Sequence, residues 1–365
     1  MNPVKVIIVG GFLGAGKTTL LAKARKELTQ RGLKTGLVTN DQATALADTI
    51  WLGGGEGLEE FTGSCYCCNF NGFAKALEAL TDWGAQIIVA EPVGSCADLS
   101  ATVLQPMKDL LKAKFSPTPF SVLLDPQRAK EVLGTKIPVI HKDASYIVEK
   151  QLQEADLILL NKIDRLSESE AKDLADNLAK AYPQAKVSLI SAREGLGVSQ
   201  WLDEILKLDS KAAGNHLLEI DYDRYANGEA ALGWLNLSAD IDYSNPDGEE
   251  LLAYFMEKLR KAFEKKKIEA GHIKVLWPSP KGLFIGNIVD VREKALITKS
   301  ECESQRGPIL VNARVECGPD ALEELIKKCL EELDNEKKLG LKIKNLYALI
   351  PGRPNPTYRY DKVVA

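Results

Sequence analysis

The sequence predicts an α/β fold for its first two hundred residues, with helices covering both faces of a mostly parallel sheet in three layers. The first observation is that short, wholly apolar runs alternate with longer segments of helical periodicity. Strands without polar positions are typical of parallel sheets that are buried on both faces. The second observation is a change of order beyond residue 208. There, strand, helix, strands and helix follow one another, which predicts a smaller α+β C-terminal domain.

In the first part, each apolar run is short enough for a strand and is followed by a loop and an amphipathic segment. We expect strands at Val4–Val9, Gly36–Thr39, Ile87–Ala90, Ser121–Leu124, Leu157–Leu160 and Lys186–Ile190. We expect helices at Leu20–Arg31, Phe73–Trp83, Ala144–Glu154 and Ser167–Ala181. Such an alternation of strand and helix predicts a doubly wound sheet.

The second part begins after a small, polar stretch that we interpret as a linker, which divides the chain into 1–208, 209–215 and 216–365. Beyond it we expect strands at Leu232–Tyr243, His272–Trp277, Gly282–Val289, Ile309–Glu316 and Leu341–Leu349, with helices at Glu249–Lys266 and Ala321–Asn335. The end of the chain, Pro351–Tyr360, is rich in proline, aromatic and basic residues. It is either a tail that docks on a partner or an extended segment that lies on its own domain.

Composition excludes several classes of protein. The 365 residues are 45% apolar and 27% charged, as in ordinary globular domains. A net charge of -4 gives no reason to expect nucleic-acid binding, and no window has the apolar length of a membrane span. The N-terminal apolar run has no basic leader, so we expect a buried strand and not a signal peptide. Seven cysteines, an odd number, favour reduced thiols and a cytoplasmic location.

A phosphate-binding loop follows the first strand and opens the first helix. Gly11-Phe12-Leu13-Gly14-Ala15-Gly16-Lys17-Thr18 matches the Walker A pattern, which predicts a P-loop NTPase domain. Glycines let backbone N–H groups turn toward phosphate oxygens at a helix N-terminus. Lys17 would neutralise the β- and γ-phosphates, and the Thr18 hydroxyl would bind Mg²⁺. The nucleotide-contacting residues expected here are Gly11, Leu13, Gly14, Ala15, Gly16, Lys17, Thr18 and Thr19.

A second loop indicates that the base is guanine. Asn161-Lys162-Ile163-Asp164 follows the apolar strand Leu157–Leu160. The Asp164 carboxylate can accept hydrogen bonds from guanine N1–H and the exocyclic amine, a pair of donors that adenine lacks. Asn161 would tie this loop to the phosphate loop, and the Lys162 stem would cover the base. Ser191 and Ala192, after the next strand, are expected in the second base-contacting loop.

Two carboxylates end strands beside the phosphate loop. Glu91 begins Glu91-Pro92-Val93-Gly94, where it can hold Mg²⁺ or its water, and the Gly94 N–H could contact the γ-phosphate. Asp41 closes the second strand and is a further candidate Mg²⁺ ligand. The catalytic residues expected from these patterns are Lys17, Thr18 and Glu91.

Three cysteines crowd into Cys65-Tyr66-Cys67-Cys68, between the two carboxylate loops. Thiolates bind Zn²⁺, Co²⁺ or Cu⁺ well, so this cluster is a candidate transition-metal site. Two or three sulfurs are fewer than a closed structural site needs, which suits an ion that must leave again. Packing in the core is the favoured interpretation for Cys96, Cys302, Cys317 and Cys329. The three histidines form no cluster in the sequence.

Together these motifs resemble the CobW-like GTPases, relatives of the nickel-insertion GTPases of urease and hydrogenase maturation. The resemblance covers roughly residues 1–208. It rests on Gly10–Thr19, Ser64–Cys68 (with serine in place of the family's glycine), Glu91–Gly94, Asn161–Asp164 and the lead-in Gln151–Asp156. The family's acidic, glycine-containing first switch is replaced by Asp41-Gln42-Ala43-Thr44-Ala45, and its histidine-rich tract is absent.

The resemblance implies a slow, GTP-hydrolysing metallochaperone or cofactor-maturation factor that uses GTP/GDP, Mg²⁺ and Zn²⁺ or Co²⁺. Its partner would be a client metalloprotein or corrinoid protein, and a second copy of the chain is a further candidate. The C-terminal domain would bind the client. Two alternatives stay open: a P-loop small-molecule kinase, and a scaffold in which nucleotide and zinc are structural.

Overall fold

The computed structural model describes residues 3–41, 56–242, 247–300 and 307–364. Its first sheet is parallel throughout, with strand order β3-β2-β4-β1-β6-β7-β8 and β5 beside β1. The strands are β1 Val4–Gly11, β2 Thr35–Asp41, β3 Leu58–Thr62, β4 Ile87–Glu91, β5 Phe115–Pro117, β6 Ser121–Leu124, β7 Leu157–Leu160 and β8 Lys186–Leu189.

Helices cover both faces of this sheet, which confirms the three-layer prediction. Val6 and Ile8 of β1 belong to the hydrophobic core on one face, and Ile7 and Val9 to the core on the other. The helices are α1 Lys17–Gln30, α2 Phe70–Asp82, α3 Gln105–Leu110, α4 Pro126–Val132, α5 Lys142–Glu154, α6 Glu168–Ala181, α7 Val198–Lys207 and α8 Tyr222–Ala230, with a short π-helix at Ser100–Leu104.

The second sheet is antiparallel, in the order β12-β11-β10-β13-β9-β14. Its strands are β9 Gly233–Asp240, β10 Ala270–Ser279, β11 Gly282–Ile288, β12 Leu296–Lys299, β13 Ile309–Val315 and β14 Lys342–Leu349. Two helices, α9 Gly248–Lys266 and α10 Pro319–Lys337, pack on it around a shared apolar core, as predicted for an α+β unit. In the described ranges, no helix has both the length and the apolar character that crossing a membrane demands.

Three strands are absent from the sequence prediction. Only Phe61 of β3 is buried, and the strand carries two glutamates, so the search for wholly apolar runs missed it. β5 is three residues long, and β12 is a partly exposed strand at the edge of the second sheet. Short and edge strands lack the continuous apolar face that identifies a central strand.

The segment around the predicted linker packs on the first unit. Lys108 Nζ donates to the Ala213 carbonyl at 2.9 Å, and Gly214 N–H donates to Asp156 Oδ2 at 2.6 Å. Helix α8 lies against α5, and its Tyr225, 2% exposed, belongs to the core of the first unit. The second sheet starts only at Gly233, and the residues between 208 and 233 pack on the first unit. The domain limits at 208 and 216 therefore stay a prediction.

The C-terminal tail, residues 350–364, returns to the first unit. The Tyr360 N–H donates to the Ala101 carbonyl at 3.1 Å, and Val364 N–H donates to Gln105 Oε1 at 2.7 Å. The tail therefore packs on the first unit, where the Tyr358 ring meets Phe70 at 5.5 Å between centroids. It also contacts the start of the predicted C-terminal domain, because Arg359 Nη2 donates to the Leu218 carbonyl at 2.7 Å and Arg353 pairs with Asp223.

Candidate functional site

The phosphate loop joins β1 to α1 with a backbone that only glycine adopts easily. Gly16 has φ 104°, and a Cβ at this position would collide with Asn161 Nδ2. Helix α1 begins directly after it at Lys17, so the N–H groups of the first helical turn, which a helix cannot bond internally, lie beside the loop. The loop and the helix dipole together form an anion cradle, as the Walker A pattern predicts.

Glu91, at the end of β4, lies against the first turn of α1. The Thr18 hydroxyl donates to Glu91 Oε1 at 3.3 Å, and Lys17 Nζ is 3.8 Å from the same oxygen. All three side chains are less than a tenth exposed. A Cβ on Gly94 would lie 3.0 Å from Lys17 Nζ, so the loop after β4 touches the cradle closely. The structure thus brings together an ammonium, a hydroxyl and a carboxylate.

The predicted base loop follows β7 and is tied to the phosphate loop. Asn161 Nδ2 donates to the Ala15 carbonyl at 2.8 Å, while its Oδ1 accepts from Ala192 N–H at 2.9 Å. Lys162 Nζ donates to the Gly14 carbonyl at 2.7 Å, and burial lowers the pKa of its ammonium. One asparagine therefore joins three loops at one end of the sheet.

Asp164 is the carboxylate expected to bind guanine. Its Oδ1 accepts from the Ser191 hydroxyl at 2.6 Å, and its Oδ2 pairs with Arg193 Nη2 at 2.9 Å. These neighbours orient the carboxylate, which lines the same cavity as the phosphate loop. Ser191 and Asp164 thus meet, although 27 residues separate them in the chain.

That cavity, of about 800 Å³, lies between the two units. A Cβ on Gly14 would lie 2.5 Å from Val289 Cγ1, so the second unit closes on the phosphate loop itself. Polar side chains on the sheet face opposite α9 and α10 form the second wall; among them are His272, Lys274, Asn287, Asn312 and Arg314. Sequence reasoning missed this wall. Its signal was the alternation of polar residues along the otherwise apolar strands β10 and β13.

The cysteine cluster lies in the turn between β3 and α2. Cys65 Sγ is 2.9 Å from Cys67 Sγ, Cys67 Sγ is 3.7 Å from Cys68 Sγ, and all three sulfurs lie within 4.8 Å of one another. Cys65 and Cys67 are buried, while Cys68 is half-buried. The Asn69 side chain caps α2 by accepting from Gly72 N–H at 3.0 Å, which fixes the turn.

Tyr66 links this cluster to the nucleotide site. Its buried hydroxyl lies 2.9 Å from the Glu91 carbonyl and 3.0 Å from the Val38 carbonyl, within hydrogen-bonding reach of both. Its ring stacks on Phe73 of α2 with centroids 4.1 Å apart. Tyr66, which lies between two of the cysteines, therefore contacts the main chain of Glu91. The side-chain carboxylate of Glu91 is the one that contacts Lys17 and Thr18.

The three thiols of the cluster differ in acidity. Hydrogen bonds from Cys67, then Cys68 and Cys96, lower the pKa of Cys65 far below its usual range. The corresponding bond to Cys65 raises the pKa of Cys67, and the same partner raises the pKa of Cys68 to about 11. The cluster thus stabilises one thiolate, and a second thiolate needs a cation beside it.

A buried carboxyl group faces the same cluster from α8. Burial above all, with a smaller contribution from the charge of Cys65, raises the pKa of Glu229 to about 8. The Ser95 hydroxyl donates to Glu229 Oε1 at 2.6 Å. The raised pKa favours the protonated form of Glu229 at neutral pH, which reduces like-charge repulsion with a Cys65 thiolate.

The C-terminal tail covers the cluster. The Thr357 N–H donates to the Cys67 carbonyl at 2.8 Å, and Asn355 N–H donates to Cys68 Sγ at 3.3 Å. Arg359 Nε pairs with Oδ2 of the buried Asp98 at 2.7 Å. The tail thus contacts both the cysteine turn and the loop that follows β4, a position that its sequence alone does not indicate.

Some of the predicted site residues lie outside the part of the chain that the structure describes. Asp41 ends β2, but its side chain is outside the described part, as are residues 42–45 of the predicted first switch and Cys302. Cys317 and Cys329 lie in the second unit, as scattered as predicted. Of the histidines, His272 lines the cavity.

The fold and the phosphate site define a P-loop nucleotide-binding protein. Residues 5–188 match the family described as "CobW/HypB/UreG, nucleotide-binding domain". Because this match spans half of the 365 residues, the chain belongs to that family, and the resemblance seen in its motifs is confirmed.

Two curated relatives are similar over part of their length. The zinc chaperone YjiA of Escherichia coli (strain K12) is 27% identical over 196 residues, which are 52% of this chain and 58% of that protein. The zinc-regulated GTPase metalloprotein activator 1 of Schizosaccharomyces pombe (strain 972 / ATCC 24843) is 28% identical over 223 residues, 58% of this chain and 50% of that protein. The chain thus spans about half the length of these relatives.

Among solved structures, Zn(II)-bound YjiA GTPase from E. coli is similar at 19% identity and a TM-score of 0.38, covering 91% of this chain and 99% of that one. HypB from Helicobacter pylori in complex with nickel is similar at 18% identity and a TM-score of 0.40, covering 60% of this chain and 91% of that one.

Proposed function

We propose that this protein hydrolyses GTP and uses the cycle to hold and release a metal ion for a client protein. One observation carries the proposal: the Tyr66 hydroxyl, inside the cysteine cluster, lies 2.9 Å from the main-chain carbonyl of Glu91 at the phosphate site. A change at Glu91 upon hydrolysis therefore has a direct route to the sulfurs. Two sites joined in this way must influence each other reciprocally.

The nucleotide half of the proposal rests on the chain's own polar groups. The phosphate loop N–H groups and Lys17 would hold the β- and γ-phosphates, and the carboxylate of Asp164 would accept from guanine. The Thr18 hydroxyl and the Glu91 carboxylate, 3.3 Å apart, are hard oxygen donors that suit Mg²⁺, with Asp41 as a further ligand. When bound there, Mg²⁺ would neutralise charge on the phosphates.

Hydrolysis would add water to the γ-phosphorus and break its bond to the β-bridging oxygen, leaving GDP and phosphate. Gly94 is close to Lys17 Nζ, so its N–H is well placed to contact the γ-phosphate and lose that contact after hydrolysis. Lys274 and Arg314, on the opposite wall of the cavity, add positive charge near the nucleotide. Loop ordering by the γ-phosphate is a common switching device.

The cargo we propose is Zn²⁺, with Co²⁺ as the second candidate. Three sulfurs within 4.8 Å of one another provide soft ligands. Tetrahedral zinc with Zn–S bonds of about 2.3 Å needs sulfurs roughly 3.8 Å apart, so Cys65 and Cys67 would separate by under ~1 Å on binding. The names of the two zinc-related relatives support Zn²⁺ over a corrinoid.

We propose a client metalloprotein as the partner, with the second unit as its docking part and a second copy of the chain as a further candidate partner. A cytoplasmic location suits this role, because reducing conditions keep the cluster thiols available. A net charge of -4 does not favour nucleic acid as a partner.

Two measurements test the proposal. GTP hydrolysis should depend on Lys17, so Lys17→Ala should abolish it; ATP that displaces labelled GTP equally well would refute the guanine assignment. Cys67→Ser should weaken Zn²⁺ or Co²⁺ binding in the presence of a non-hydrolysable GTP analogue. Cys329→Ser, in the core of the second unit, is the matched control. If Cys67→Ser binds metal as tightly as the control, the metallochaperone role fails.

A further inference from the structure

Two residues of the C-terminal tail are bonded directly to the cysteine turn. Asn355 N–H donates to Cys68 Sγ at 3.3 Å. Thr357 N–H donates to the Cys67 carbonyl at 2.8 Å. The Thr357 hydroxyl donates to the Cys68 carbonyl at 3.0 Å and accepts from Phe70 N–H at 3.2 Å. The turn that carries the three sulfurs is therefore held from outside, by a segment that lies 287 residues further along the chain.

The tail lies where an ion would have to pass. Cys65 and Cys67 are 7% and 3% exposed, so neither an ion nor a client's ligand can reach these sulfurs unless part of the surrounding chain moves. Cys68 is the half-buried member of the cluster, and the tail rests on its sulfur. Residues 350–364 form neither helix nor strand, so they can part from the turn without unfolding a secondary-structure element. Such a movement would uncover the sulfur that lies nearest the surface.

We propose that Asn355 and Thr357 are positioning residues of the metal site, which keep Cys67 and Cys68 on the ion while the tail is bonded to the turn and release it when the tail parts. This inference rests on the proposed function, since it presumes that the cysteine turn binds metal. The Asn355 N–H stabilises a thiolate at Cys68, because a hydrogen bond favours the charged form of its acceptor. The bonds of Thr357 fix the main chain of the turn and thereby the spacing of the sulfurs.

The same tail is fastened to the loop after β4, which also contains Gly94. Arg359 Nε pairs with Asp98 Oδ2 at 2.7 Å, and Asp98 is 1% exposed. Arg359 follows Thr357 by two residues, so a movement of the loop when the γ-phosphate leaves would pull on the tail beside its bonds to the cysteine turn. The tail thus gives the nucleotide site a second connection to the sulfurs, in addition to Tyr66.

The first test compares two changes at Thr357. Thr357→Val keeps the shape and the N–H but loses both bonds of the hydroxyl, whereas Thr357→Ser keeps the hydroxyl and is the matched control. With a non-hydrolysable GTP analogue, Zn²⁺ should pass from Thr357→Val to a chromophoric chelator about tenfold faster than from the wild type, the low end of what loss of a ligand's own partner costs. In metal-free protein, iodoacetamide should alkylate Cys68 faster in Thr357→Val. Thr357→Ser should match the wild type in both rates.

A second pair of variants isolates the bond to sulfur. Asn355→Pro removes the main-chain N–H, and Asn355→Ala retains it. In Co²⁺-loaded protein, the sulfur-to-cobalt charge-transfer band should move to longer wavelength in Asn355→Pro alone, because a thiolate that loses a hydrogen-bond donor transfers an electron to the metal more readily. A loss of stability without a change at the sulfur would leave the position of this band unchanged.

Two outcomes separate this inference from the proposed function. Wild-type rates of Zn²⁺ release and of Cys68 alkylation in Thr357→Val, or an unmoved band in Asn355→Pro, would overturn the role of the tail. Loss of Zn²⁺ from Cys67→Ser in the same experiments would still support the proposed function. If Cys67→Ser binds Zn²⁺ as tightly as the wild type does, the proposed function fails and this inference fails with it.

Discussion

Replacing Glu229 by glutamine should make the protein more stable at neutral pH. The carboxyl group is 3% exposed, and burial raises its pKa from 4.5 to about 8. A raised pKa means that the folded state favours the protonated carboxyl group. The contribution of this group to the free energy of unfolding is therefore complete below pH 4.5 and is lost as the pH rises to about 8. Glutamine has no proton to lose and can still accept from the Ser95 hydroxyl.

The magnitude follows from the two pKa values. At ~1.4 kcal/mol per pH unit, the free-energy advantage of Glu229→Gln should grow from about 1.5 kcal/mol at pH 5.5 to about 4 kcal/mol at pH 7.5. The difference of about 2.5 kcal/mol corresponds to roughly 5–10 °C in melting temperature for a unit of this size. Nearby Cys65 supplies part of the effect, because its thiolate disfavours a second negative charge.

The assay is thermal unfolding of chelator-treated protein, followed by tryptophan fluorescence at several pH values between 5.5 and 8. Trp201 is buried in the first unit and reports its unfolding. Asp176→Asn, an exposed carboxylate on α6, is the control and should follow the wild type at every pH. If Glu229→Gln and the wild type differ in melting temperature by the same amount at pH 5.5 and at pH 7.5, the claim that Glu229 has a raised pKa in the folded protein is refuted.

Three further changes test other parts of the account. Asp164→Asn should reduce GTP affinity about 5- to 150-fold, because losing a charged acceptor for the base costs about 1–3 kcal/mol, and xanthine nucleotides should bind better than before. Tyr66→Phe should bind both GTP and Zn²⁺ but lose most of the effect of one on the affinity for the other. Arg359→Ala should destabilise the fold by about 3 kcal/mol, since it leaves buried Asp98 without its ion pair. Because the tail that Arg359 anchors covers Cys68, the same change should speed alkylation of Cys68 in protein freed of metal by a chelator.

Each of these has a result that would contradict it. Unchanged discrimination between guanine and xanthine in Asp164→Asn would remove that carboxylate from the base site. A full nucleotide effect on zinc affinity in Tyr66→Phe would mean that the coupling takes another route. For the tail, Arg353→Ala is the control, because its ion pair with Asp223 is exposed. Equal alkylation rates in the two arginine variants would show that the tail does not shield Cys68.

The parts of the fold that the sequence predicts well are those where one local pattern decides the structure. Central strands such as Leu157–Leu160 are apolar at every position because helices cover both faces, and the observed strand has the same limits. The phosphate loop was predictable for a similar reason. Gly16 cannot be replaced without a collision with Asn161, so the spacing of glycines is visible in the sequence itself.

The parts that escaped prediction depend on contacts between distant segments. Nothing local to Arg359 indicates that it pairs with Asp98, and nothing local to Tyr66 indicates that its hydroxyl reaches the Glu91 carbonyl. The wall of the cavity formed by Lys274 and its neighbours requires knowing that the second sheet turns its polar face toward the phosphate loop. Such relations come from tertiary packing, which sequence periodicity does not encode.

The most direct test of the central claim is the Zn²⁺ affinity of the wild-type protein in two nucleotide states. With a non-hydrolysable GTP analogue, a chelator-competition titration should give one tightly bound Zn²⁺ per chain, held about 5- to 150-fold more tightly than with GDP, the range typical of coupled sites. Cys67→Ser should bind weakly in both states. Equal Zn²⁺ affinity with the GTP analogue and with GDP would contradict the claim that hydrolysis releases the metal.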